Sequence, residues 1–183
     1  AVKALAKANG DEIRAALITA ATGDAKSFVR REALVLLGNF PHQDTKVALR
    51  AAIKNDQSYY AVADALRSLV KVDREQCAAD LLAALDMPSH HEVVLQAASD
   101  GLVEIKSSEG ANRLIARLEN SATKKLTPEE RVVIVGAVAR LRPDDAKYVG
   151  QLREQLDNER NYVRRSAIDL LVQTANPQAI DWL

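Results

Sequence analysis

Ala65-Leu-Arg-Ser-Leu-Val-Lys-Val72 is one copy of a block that recurs along the whole chain. Ala1–Ala8, Ala33–Phe40, Ala98–Ile105, Ile134–Leu141 and Ala167–Thr174 can be laid over it, the six starts being separated in turn by 32, 32, 33, 36 and 33 residues. The first position reads Ala1, Ala33, Ala65, Ala98, Ile134 and Ala167; the fifth reads Leu5, Leu37, Leu69, Leu102, Val138 and Leu171. Self-similarity at this spacing marks a stack of like units, each able to bury its apolar face only against its neighbours. The expected architecture is all-α, a right-handed α-α superhelix of about five helix pairs with partial repeats at both ends. Such a stack offers surface rather than an enclosed active site.

Outward from the blocks, each unit reads as two antiparallel helices. Helix A of successive units is expected over Asp11–Thr22, Asp44–Lys54, Arg74–Leu85, Glu109–Glu119 and Asp145–Leu156. Helix B is expected over Lys26–Gly38, Ser58–Val70, His91–Glu104, Pro128–Arg140 and Asn161–Thr174. Val29, Ala33, Leu36, Leu37 and Phe40 illustrate the helical spacing of the apolar residues, and strand-like alternation is absent. Thr127-Pro-Glu-Glu130 supplies a cap, a proline at the first helical position and a glutamate three residues after the cap. Asn176-Pro177 repeats the cap-then-proline device, and Asp73 with Gln76 reads as a further capping box. Gly10, Gly23, Pro41, Pro88 and Pro143 fall in or near the turns. No long linker divides residues 1–183, which read as a single repeat domain, and the polar stretch Asn120–Leu126 accounts for the longest unit.

Composition fits this picture. Apolar residues make up 48 % of the chain but aromatics only 4 %, so the packing is aliphatic and helix-forming. The 25 basic and 25 acidic side chains cancel, which argues against a dedicated nucleic-acid binder, whose affinity is largely phosphate neutralisation. The lone Cys77 excludes an internal disulfide framework and reads as core filler within a helical run, Glu75–Asp86. No apolar run approaches the roughly 18 residues of a membrane span, so no membrane partner is expected. Both ends look cut through a repeat, and the chain is expected to be a fragment of a longer polypeptide of unassigned compartment.

A second motif lies at the turns into helix B: Asp24-Ala-Lys-Ser-Phe-Val-Arg30-Arg31, Asp56-Gln-Ser-Tyr-Tyr-Ala-Val62 and Asn158-Glu-Arg-Asn-Tyr-Val-Arg164-Arg165. It resembles the HEAT-repeat signature, an acidic turn residue followed six positions later by an arginine. The acceptor would cap the helix N-terminus, and the arginine would reach a neighbouring unit's acidic residue and tie the stack together. Asp24 with Arg30 fits fully, Asn158 with Arg164 substitutes an amide, and Asp56 lacks the arginine because Val62 stands there. The form Asp-x-Ser-Tyr leading into an Ala-Leu-x-x-Leu helix, best seen over Asp56–Val72, is also similar to the HEAT-like C-terminal region of some M1-family zinc aminopeptidases. That resemblance implies an accessory domain supporting an active site whose zinc sits in an upstream domain. Phycobilin-lyase-type HEAT proteins share a similar Val-Arg-x-x-Ala core.

Candidate sites are few. His90-His91-Glu92 begins a zincin pattern, but Leu95 stands where the second histidine is needed, so these residues read as a helix start. No catalytic, cofactor-binding or metal residue is assigned. Helix-B residues could instead form columns on the inner surface of a solenoid: Arg31, Ala63, Gln96, Val132 and Arg165; Val35, Arg67, Asp100, Gly136 and Asp169; Asn39, Lys71, Glu104, Arg140 and Gln173. Arg31, Arg67, Lys71, Arg140 and Arg165 are the candidate contacts for a partner. The columns are mixed in sign and interrupted by apolar residues, which suits a protein or an upstream domain of the same chain better than nucleic acid and equally suits a merely solvated face. The expected function is a non-catalytic scaffold or interaction module; a free-standing adaptor, and behind it a bilin lyase or nucleic-acid binder, stand as alternatives.

Overall fold

The computed structural model describes residues 10–120, 125–174, 176–180 and 182. Every regular element among them is helical. The chain forms two compact units, Ala1–Gly101 and Leu102–Leu183. The first repeat block, Ala1–Ala8, and most of the polar stretch after Asn120 lie outside the described residues.

In the first unit α1 (Asp11–Gly23) pairs with α2 (Ser27–Leu37), and α3 (Gln43–Asn55) pairs with α4 (Tyr59–Val72). α1 also packs on α3, and α2 on α4. Each helix thus meets its hairpin partner and its counterpart one repeat along. This arrangement is compatible with a helical repeat solenoid. α5 (Ala78–Ala84) and a 3₁₀ turn, His90–Glu92, lead to α6 (Val93–Glu104), and the first unit ends at Gly101. The second unit repeats the scheme: α7 (Ser108–Glu119) pairs with α8 (Pro128–Leu141), α9 (Ala146–Glu154) pairs with α10 (Asn161–Gln173), and α8 packs on α10. The short α11 (Pro177–Ile180) rests on α10.

The repeat register is the register of the core. Ala33, Ala65, Ala98, Ile134 and Ala167 at the first position are all 0 % exposed, as are Leu37, Leu69, Leu102, Val138 and Leu171 at the fifth. Burial of a leucine at such a site is worth about 1.5–3 kcal/mol, and alanine at the first position lets neighbouring helices approach. α4 and α8 are buried nearly all round, α8 being packed by α7, α9 and α10, and Val132 to Ala139 form an unbroken buried run. At Gly136 an added Cβ would stand 2.5 Å from Leu170 Cδ1, so only glycine admits α10 this close to α8.

Two helix starts fall two or more residues later than the sequence reading, and several others shift by one. The third A helix begins at Ala78 rather than Arg74, because the Asp73 carboxylate is turned inward and forms no capping box with Gln76; Cys77, fully buried, stands at the helix start. α6 begins at Val93, since His91 and Glu92 take left-handed backbone angles (φ 53 and 55) and Ser89 Oγ accepts the Val94 N–H at 3.0 Å. α9 begins at Ala146, its preceding Asp145 accepting the Lys147 N–H, and closes in a 3₁₀ turn, Gln155–Asp157. The box at Thr127 forms as read: Thr127 Oγ1 accepts the Glu130 N–H at 3.0 Å and Glu130 Oε2 accepts the Thr127 N–H at 2.9 Å.

Candidate functional site

The polar residues singled out in the sequence cluster at the turns between helices. Asp24 Oδ1 accepts the Lys26 N–H at 2.8 Å, Asp56 Oδ1 the Ser58 N–H at 2.8 Å, and Asn158 Oδ1 the Arg160 N–H at 3.1 Å. Each closes an Asx turn two residues long. None caps the helix that follows, so the capping role expected of these residues is corrected to a turn-closing one.

The arginine six residues later stiffens the same turn. Arg30 Nη1 donates to the carbonyl oxygens of Asp24 and Ala25, and Arg164 Nη1 donates likewise to those of Asn158 and Glu159. Arg30 then spends its other edge on the next repeat: Nε donates to Asp56 Oδ2 at 2.7 Å and Nη2 to Asp56 Oδ1 at 2.8 Å. The pair is sheltered, with the two side chains 16 % and 5 % exposed. The guanidinium holds the Asp56 carboxyl below its ordinary pKa despite the opposing effect of burial, and Asp56 in turn raises Arg30. An open cleft of about 410 Å³ lies over this pair, between the Gly23–Ala25 and Asn55–Gln57 turns.

Further links follow the same direction along the first unit. Arg31 donates to Asp64 Oδ2 at 2.7 Å and lies over the Tyr60 ring at 5.0 Å; Arg67 meets the other Asp64 oxygen at 3.2 Å. Lys46 and Arg50 both reach the buried Asp73 carboxylate, at 2.7 and 2.8 Å, and Arg50 also donates to Asp80 at 2.9 Å. Burial alone would raise Asp73, but these two cations outweigh it and hold its pKa below the usual carboxylate value. Arg14 reaches Asp44 in the same way, at 3.0 Å. Sequence reading missed the Asp64 and Asp73 hubs; the available signal was a cation followed by an acid about one repeat later, as in Arg14–Asp44 and Arg50–Asp80.

The candidate column residues therefore fare differently. Arg31 and Arg67 come together on Asp64. Lys71 is exposed, and Arg140 bonds the Gly136 carbonyl and Gln173 Oε1. Arg165 is exposed, with no hydrogen bond or ion pair to any described residue. The first column does not run along a surface, since Ala63 and Val132 are 0 % exposed. Arg165 instead lines an open cleft of about 500 Å³ with Leu156, Asn161, Arg164, Ile168 and Trp182.

His90 and His91 meet edge to face at 3.9 Å, and Tyr59 stands 6.4 Å from His90. Burial pushes the Cys77 thiol pKa up, away from the thiolate form. Among the described residues no group of three or more His, Cys, Asp and Glu side chains is placed to hold a metal ion, and no helix is long and apolar enough to cross a membrane. Neither a protein-family model nor a curated protein matches the chain.

Proposed function

We propose that this chain is a non-catalytic scaffold of the HEAT type, which holds a surface for another protein or for another domain of its own polypeptide. One observation carries the reading: the charged side chains are committed to one another from repeat to repeat, as in Arg30 with Asp56 and Arg31 with Asp64. They tie helices together instead of converging on a substrate-sized cleft. The signature's turn aspartate and arginine make the first of those ties, Arg30 with Asp56.

The narrower form of the proposal is the C-terminal accessory domain of an M1-type aminopeptidase. The likeness of Asp56–Val72 supports it, and zinc would then belong to an upstream domain. Determining the coding sequence upstream of the Ala1 codon tests it. The expected result is a His-Glu-x-x-His pair followed by a glutamate ligand; further repeats running back to a start codon would overturn it. A free-standing adaptor is the second reading, favoured by the open face at Arg165 and Ile168.

A further inference from the structure

Among the described residues only His91, Glu92 and Lys106 combine a side chain with a positive φ, and all three border one helix, α6. His91 and Glu92 stand directly before it at φ 53 and 55, and Lys106 follows it at φ 54. The left-handed region drives Cβ against the following carbonyl, so each residue is held there at a cost that the unfolded chain does not bear. A side chain spans the left-handed pair to hold the first turn of α6, Ser89 Oγ accepting the Val94 N–H at 3.0 Å.

The middle of α6 carries a second cost. Leu34, Leu66 and Val135 occupy one repeat position on α2, α4 and α8, where α6 places Ser99. Ser99 is 0 % exposed, and no described residue bonds its hydroxyl. A buried hydroxyl in that state has given up its hydration and received nothing for it. Two residues on, Gly101 lets α6 lie close against Leu81 and Val70, whose methyl carbons would stand 2.7 and 3.0 Å from an added Cβ. The helix is thus well covered, yet strained at both ends and unsatisfied at its centre. We propose that α6 is the opening point of this chain, a helix that melts locally, ahead of global unfolding, while α2 and α4 stay folded. Melting lets His91, Glu92 and Lys106 leave the left-handed region and hydrates Ser99. It also bares Val70 and Leu81, both buried while α6 is in place. Burial alone predicts the opposite order, since Val94, Leu95, Ala97, Ala98 and Leu102 are as well covered as the core residues of α4.

Hydrogen exchange of the full chain, read by mass spectrometry of peptides over α2, α4 and α6 in low concentrations of urea, tests the proposal. Corrected for intrinsic rates, α6 amides are expected to exchange at least about tenfold faster than those of α4 without urea. Their exchange is also expected to quicken less steeply with urea, because a local opening exposes less surface than global unfolding. Glu92→Gly, Lys106→Gly and Ser99→Ala each remove one of the costs, and each is expected to slow α6 exchange by about threefold or more. An α6 that matches α4 in both rate and urea dependence opens only with the whole molecule, which overturns the proposal. Fast α6 exchange that none of the three substitutions slows overturns it as well.

Discussion

Arg30 holds Asp56 with two parallel hydrogen bonds of 2.7 and 2.8 Å while a third nitrogen binds the carbonyls of its own turn. One side chain thus closes a turn and fastens the next repeat to it. The planar guanidinium suits this double duty, because its donors are fixed in a fork that matches a carboxylate on one edge. Lysine could supply the charge but not the fork.

Removing the carboxylate leaves a sheltered guanidinium unmatched. Asp56→Ala is expected to cost roughly 2–4 kcal/mol, and Arg30→Met somewhat less because its stem is kept. Urea melts of both single variants and the double variant give the coupling between the two residues. A coupling above about 1 kcal/mol is expected, larger than that of an exposed pair; a value near zero would mean the two residues do not bind the repeats together.

Acid should act through the same carboxylates. Asp56 and Asp73 have pKa values held below the ordinary carboxylate value by Arg30 and by Lys46 with Arg50. Their contribution to stability is then complete above the unfolded-chain pKa, about 3.9, and is lost as pH falls through the lower folded values. Stability by urea melt is expected to be level from neutral pH to about pH 5 and to drop below it. Asp73→Asn should start lower at neutral pH and show a shallower acid decline. Parallel declines in the two proteins would show that Asp73 does not carry this dependence.

Lys106 offers a gain instead of a loss. It follows α6 in a left-handed conformation (φ 54), with its N–H on the Val103 carbonyl at 3.0 Å and the Ser107 N–H on the Leu102 carbonyl at 2.9 Å. These are the two bonds of a Schellman ending, whose left-handed residue is usually glycine. Lys106→Gly is expected to raise stability by about 1 kcal/mol by thermal or urea melt, with Lys106→Ala giving no such gain. Equal effects of the two substitutions would place the strain elsewhere.

Much of the fold was legible because the packing positions repeat. Ala33 and Leu37 recur one repeat on as Ala65 and Leu69, and all four are fully buried. The reach of Arg30 to a neighbouring acid was legible too, since its motif recurs. Asp73 was not: a carboxylate ahead of Gln76 looks the same whether it caps a helix or turns inward to Lys46 and Arg50. The left-handed pair His91–Glu92 also left no trace, as histidine visits that conformation only occasionally and glutamate more rarely still. The open face of α10 shows itself only by comparison, when Ile168 is set beside its buried equivalents.

That comparison gives the last prediction. Leu34 and Ile168 occupy one repeat position on α2 and α10 with comparable side chains, but Leu34 is 0 % and Ile168 44 % exposed. Leu34→Ala removes buried methylenes and leaves a cavity, at an expected cost of about 2–5 kcal/mol; Ile168→Ala in dilute protein should cost under about 1 kcal/mol. Urea melts of the two variants in dilute protein measure both costs. Equal and large costs in dilute protein would mean that Ile168 is already covered within a single chain.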